Sequence, residues 1–351
     1  MAMKVTPPLT INSRCDRTPS HDLSPGPASL IRRGSAGVSV LAAQKPTALV
    51  VQERDLVMLC DLFTHGAMLG EHLHALYFPG CTRRRMNQRL HQLQNAGLIV
   101  RRPLPLGLST ALPHAVVPST PWVYGLGSVG APLVSAHLEW DLTEVRRVVR
   151  LGSPTAVVHT LEVVRFRIQA EEAVHQRNQR NSNAKEARIL KAECEGTAMQ
   201  FMPERLLRHS YQVRMSGGSW RDEVYKPDAL LKVAFAGGLW QHHFVETDLG
   251  HTSASEWKVK AAIAVRYGRS GLFKKRYGAE TFGTLICTTG ERRLTHLSRL
   301  LAQQLEAEDA ARFGLTTFAE VAAKGPLAAI WQVPGTKRPL GLEEWSFNPI
   351  P

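Results

Sequence analysis

The sequence predicts an α+β protein of two domains, a winged helix-turn-helix followed by an α/β domain with a mixed sheet. Three observations predict it. Three short amphipathic helices precede two strands between residues 49 and 150. Strands and helices then follow in the order helix, three strands, helix, strand, helix. At 351 residues with 44% hydrophobic side chains, the chain is long enough for two cores.

Residues 1–48 are rich in Pro, Ser, Thr, Gly and Arg, with no lasting period. They are expected to form a disordered basic tail whose Arg32 and Arg33 are available for phosphates. A tail without a role fits the same composition. Order is expected from Val51. Leu56, Leu59, Cys60 and Phe63 lie at i, i+3, i+4 and i+7, one face of a helix. Leu69, Leu73, Leu76 and Tyr77 mark a second helix, and Pro79-Gly80 ends it. Thr82 is the expected N-cap of a third helix, which Gly97 stops. "LIVRRPL" and "TPWVYGLGSVG" read as an outgoing and a returning strand around the proline-rich loop 103–121.

Three helices and a two-stranded wing are the plan in which the third helix enters the major groove. Opposite its apolar stripe Met86-Leu90-Leu93 lie Arg84, Arg85, Gln88 and His91. Arginine and glutamine suit base edges and phosphates. Arg101 and Arg102 would stand on the wing beside the DNA backbone. The net charge of +13 points to a polyanionic partner, most simply nucleic acid. The alternative for this unit is a surface for protein contacts.

The second domain is expected over residues 151–335, with a Pro-containing tail over 336–351. Residues 156–174 read as a helix of mixed burial, continuing into a charged stretch that is a solvated helix or partly disordered. "SYQVRMSG", "EVYKPDALLKVAF" and "GLWQHHFVETD" read as strands. A helix from about Ser253 to Tyr267, the strand "TFGTLICTTG" and the helix "ERRLTHLSRLLAQQL" complete the order.

The candidate chemistry sits on the hairpin. A two-residue Gly237-Gly238 turn sets Asp228 opposite Thr247, whereas a three-residue loop sets it opposite Glu246. In the second register the two carboxylates share a face about 5 Å apart. Paired carboxylates raise each other's pKa and favour a divalent cation, Mg²⁺ or Mn²⁺ for oxygen ligands. Asp228, Glu246 and Asp248 are therefore candidate metal ligands. Asp228, Glu246 and Lys260 are the candidate catalytic set, the lysine stabilising developing phosphate charge. Lys260 flanks the Trp257-Ala261-Ala264-Val265 stripe of its helix, and Lys258 is the alternative on the other flank. Strand-end carboxylates and surface lysines without catalytic roles fit the same spacing.

Five scattered cysteines form no CxxC pair, which argues against a disulfide framework or a zinc site. The cytoplasm is the expected compartment. No apolar run is long enough to span a membrane, and no signal peptide is legible. No phosphate-binding glycine loop is present, so no nucleotide cofactor is expected.

The chain resembles the replication-relaxation proteins of bacterial plasmids and integrative elements. The matching stretches are "RLHQLQNAGLIVRR" with "WVYGLGSVG", "HTLEVVRF", "MPERLLR", "KPDALL" and "HHFVETDLGHTSASEWKVK". Glu246, Asp248, Gly250, Trp257 and Lys260 match the family's recurring C-terminal stretch. The resemblance implies a winged helix joined to a domain similar to the PD-(D/E)xK nuclease fold. It implies a role in plasmid mobilisation or replication relaxation. Its partners would be DNA and a relaxase or other mobilisation protein, with a second copy of the chain as a further candidate. Asp248 stands where that nuclease motif has lysine, and Leu249 where the family has a basic residue. The lysine would then be Lys260. Glu162 is the candidate for the further acidic residue such folds carry, or else a solvated helix glutamate. The alternatives are an active Mg²⁺-dependent DNA endonuclease and a winged-helix transcriptional regulator.

Overall fold

A computed structural model describes residues 49–104, 121–149, 152–183, 197–207, 209–214, 220–235 and 240–345. The expected basic tail, the charged stretch after residue 183 and the glycine turn of the hairpin lie outside the described residues.

The three helices expected first are α1 (Glu53–His65), α2 (Gly70–Tyr77) and α3 (Arg83–Asn95). Thr82 caps α3 by accepting from the Arg85 amide at 3.4 Å. Gly97 ends it in the left-handed region, at φ 71°. The expected strands are β2 (Ile99–Pro103) and β3 (Trp122–Leu126). A two-residue strand that the sequence does not signal, β1 (Met68–Leu69), pairs with β3 and gives the order β1-β3-β2. At two residues it shows no period. Two helices follow, α4 (Gly130–Leu138) and α5 (Leu142–Val148). Asp141 caps α5, accepting from the amides of Thr143 and Glu144.

The link to the rest is α6 (Pro154–Asn183), a 30-residue helix with two apolar stripes. Val157, Val158 and Leu161 pack with Ala67, Leu69, Leu104 and Val123, and Val164 joins the core of the first three helices. Val163, Phe166 and Ala170 instead enter the core under the second sheet. Its Arg167 bonds Asp61 of α1 at 2.8 Å and His65 at 3.1 Å, and Tyr77 donates to the same aspartate.

The second sheet has five strands in the order β10-β9-β8-β7-β4. These are β4 (Ala198–Pro203), β7 (Ala229–Ala234), β8 (Trp240–Asp248), β9 (Gly283–Thr288) and β10 (Phe313–Thr317). The β8-β9 and β9-β10 pairs are parallel and the others antiparallel. Between β4 and β7, β5 (His209–Arg214) and β6 (Trp220–Tyr225) form a separate ribbon. "EVYKPDALLKVAF", expected as one strand, is therefore the end of β6 and the whole of β7. Pro227 has no amide to donate to a ladder, so the chain bends there.

On one face lie α7 (Ala254–Arg269), α8 (Leu272–Tyr277) and α9 (Glu291–Gln304). Trp257, Tyr267, Phe273, Leu297 and Leu301 bury against Leu230, Phe244 and Ile286. On the other lie α6, α11 (Phe318–Lys324) and the C-terminal segment, with the short α10 (Ala307–Ala310) preceding β10. Residues 336–345 do not trail away as the tail expected over 336–351. Leu342 and Trp345 are buried, and Gln332 exchanges two 2.9 Å backbone bonds with Leu315, covering the sheet edge.

Candidate functional site

Side chains at the end of β8 alternate between the two faces. Phe244 and Glu246 face α7, while Val245 and Thr247 face α6. The ladder pairs Ala229 with Val245 and Leu230 with Phe244. That is the register that sets Asp228 opposite Glu246. The Asp228 amide donates to the Val245 carbonyl at 3.1 Å, continuing it.

The Asp228 carboxylate nevertheless turns toward Thr247. Its Oδ2 accepts from the Thr247 amide at 2.7 Å and the Thr247 hydroxyl at 2.8 Å. His159 of α6 places Nε2 3.0 Å from the same oxygen and 2.7 Å from Thr247 Oγ1. Glu246 instead accepts from Lys260 Nζ of α7 at 2.8 Å. The cluster thus joins α6, the start of β7, the end of β8 and α7. Asp228 and Glu246 are buried, whereas His159 and Lys260 keep 31% and 43% of their side chains in solvent. One flank of the cluster is therefore open.

Burial and the Asp228 charge push the Glu246 carboxyl up to about 7, against the pull of Lys260. Burial also acts to raise Asp228, but the His159 hydrogen bond and charge, Lys260 and the Thr247 amide hold it below the usual range. His159 is raised, because its partner Asp228 outweighs the cost of burial. Lys260 is raised by Glu246 and Asp228 despite its desolvation. The cluster favours Asp228 ionised beside two cations, with Glu246 able to exchange a proton near neutrality.

Asp248 is not brought into this cluster. Arg293 of α9 holds it with bonds of 2.7 and 3.0 Å, and Thr288 and Trp257 add bonds of 2.8 and 3.3 Å. These donors hold its pKa down against burial. It serves as a strut between β8, β9 and α9. The expected three-carboxylate metal set is thus divided between two places. Asp228 is engaged by Thr247 and His159, and Glu246 by Lys260. As placed, these residues do not make a ready metal site, and among the described residues no group of three or more His, Cys, Asp or Glu could hold one.

Glu162, one turn beyond His159, is buried and not solvated. One oxygen accepts from Arg165 at 2.8 Å and the other is buried without a partner. Lys258 is exposed. His159 escapes sequence reasoning because a single histidine in an apolar helix carries no local signal. Only the tertiary pairing of α6 with β8 reveals it.

On the first unit, Arg84, Arg85, Gln88 and His91 are all exposed on α3, opposite buried Met86, Leu90 and Leu93. Arg101 and Arg102 are exposed on β2, with Arg101 over the half-exposed Trp122 ring at 4.5 Å. Arg89, on the same helix, turns inward and ties α3 to the buried Asp55 of α1.

These features define an α+β chain with an exposed cationic helix at one end and a buried acidic pair answered by cations at the other. A family model described as replication-relaxation matches residues 59–282, more than half of the chain. The chain belongs to the replication-relaxation family. No curated protein and no solved structure matches it. No described helix is long and apolar enough to cross a membrane.

Proposed function

We propose that this chain is a DNA-binding protein of a bacterial mobile element, acting in plasmid mobilisation or replication relaxation. The observation that carries the reading is the outward face of α3. The order α1-β1-α2-α3-β2-β3 with a three-stranded sheet supports the winged-helix reading, in which the third helix would enter the major groove. Arg84, Arg85, Gln88 and His91 supply groove-reading and phosphate-binding chemistry there. Arg101 and Arg102 extend it onto the wing. Membership of the replication-relaxation family supports the setting. The mixed sheet with helices on both faces supports reading the second domain as a PD-(D/E)xK-like scaffold, which in this reading engages DNA or a mobilisation partner such as a relaxase.

Fluorescence anisotropy with fragments of the element's own DNA tests this reading. Replacing Arg84 and Arg85 by alanine is expected to weaken binding roughly 10- to 100-fold and to relax sequence preference. Unchanged binding would remove α3 as the reader. A plasmid-cleavage arm with Mg²⁺ or Mn²⁺ belongs beside it. Cleavage by wild type that is lost in Asp228→Ala would replace this reading with that of an endonuclease, the alternative favoured by the meeting of Asp228, Glu246 and Lys260.

A further inference from the structure

Helix α9 divides its arginines. Arg293 points inward, pairing with Asp248 and donating to the Thr252 carbonyl just before α7. Arg292, Thr295, His296 and Arg299 point outward at i, i+3, i+4 and i+7, and with Glu291 they line a shallow open groove. Leu294, Leu297 and Leu301 are buried on the opposite side. Among the described residues no carboxylate forms an ion pair with Arg292 or Arg299. The nearer arginines of α7 differ, since Arg266 is matched by Glu223 and Arg269 by Asp309. An exposed cationic ridge left without internal ion-pair partners is not needed for the fold.

Its position gives it a use. Parallel β8 and β9 both run out at this edge, and α9 starts three residues after Thr288. Arg292 is thus one residue from the strut that holds Asp248, two residues along β8 from Glu246. Ligands of parallel sheets gather at this carboxyl edge. From Arg292 to Arg299 the helix rises about 10 Å, the span of roughly three phosphate steps at 3.4 Å each along one strand. Guanidinium groups suit phosphate oxygens through paired hydrogen bonds.

We propose that the outward face of α9 is a second DNA-binding surface. Arg292 and Arg299 grip the phosphate backbone independently of sequence and lay it beside the Asp228-Glu246-Lys260 edge. This inference rests on the reading that the chain binds DNA, but it concerns a separate surface from α3. The chain would then hold DNA at two places, one that reads and one that only positions.

The test uses the full chain and a fluorescein-labelled duplex of mixed sequence, titrated between roughly 50 and 200 mM salt. In the double variant Arg292→Gln, Arg299→Gln, the slope of log affinity against log salt is expected to fall by about 1.8, at about 0.9 for each phosphate no longer neutralised. The double variant Arg292→Lys, Arg299→Lys keeps the charge and is expected to keep the slope. A wild-type slope in the glutamine variant overturns the proposal and leaves the ridge to an acidic protein partner. Running Arg84→Ala, Arg85→Ala in parallel separates the two failures. If wild type binds no duplex at all, the DNA-binding reading falls and the ridge proposal falls with it. If only the α3 variant loses binding, the ridge proposal alone is overturned.

Discussion

Lys260 and Arg293 each answer a buried carboxylate, but they stand in different surroundings. Glu246 has its pKa raised to about 7, above its unfolded value near 4.5. The stability tied to its proton is full below that unfolded value and is lost as pH rises through about 7. Lys260→Met leaves the ionised form unanswered. It is expected to cost about 1–3 kcal/mol near pH 8, toward the lower end because the lysine is partly exposed. Near pH 5 Glu246 holds its proton and the cost shrinks. Urea midpoints at the two pH values check this, and equal shifts would contradict it. Arg293→Met removes the bidentate partner of the fully buried Asp248, and its expected cost is larger, about 3–5 kcal/mol near neutrality. Of this chemistry, Lys260 was legible from the helix period as a side chain within reach of the strand pair, whereas the register that sets Asp228 opposite Glu246 was open between two loop lengths until the ladder fixed it. The strut role of Asp248 was not. It depends on Arg293, 45 residues away on a helix whose placement no local pattern specifies.

Elements are set against one another by a few close approaches. Gly127 follows β3, and its amide donates to the Leu98 carbonyl at 2.8 Å. A Cβ there would lie 2.1 Å from the Gly97 carbonyl oxygen, so even alanine forces the end of β3 away from the end of α3. Gly127→Ala is expected to destabilise the chain by about 1–3 kcal/mol and to tilt α3 against β3, which would weaken DNA binding if the proposed reading holds. Thermal melting together with the anisotropy assay checks this. A variant with wild-type melting and wild-type binding would contradict it. At this scale α3 was fully legible, from the Thr82 cap to the Gly97 stop, because capping and amphipathic period are local. The β6-β7 boundary was not, because a proline such as Pro227 is also tolerated within or at the start of an edge strand, and the move from the ribbon to the five-stranded sheet is a tertiary event. β10 carried no signal, since a short strand buried on both faces does not alternate.

Across the whole molecule the buried histidines set the response to acid. His65, His72, His242 and His243 are buried, and burial is the main cause that depresses each imidazole, to about 3, 3, 4 and 3. Their unfolded value is near 6.5. Each therefore contributes stability that is present above about 6.5 and is lost as pH falls toward its folded value. Glu246 opposes them over part of this range. The unfolded chain then binds about three more protons near pH 5.5, and stability falls by roughly 4 kcal/mol per pH unit. Denaturant midpoints at about pH 7 and 5.5 are expected to differ strongly, and matching midpoints would contradict the assignment.

The long helix α6 has one last consequence, for how such a chain can be recombined. Exchange of the first unit for that of a relative would be an obvious recombination. A crossover near residue 150 would leave Val157, Leu161 and Val164 facing a foreign core, and Arg167 without Asp61. A productive exchange must carry the helix along, and the other stripe of that helix must still fit the sheet it inherits. The first three helices and α6 therefore have to change together.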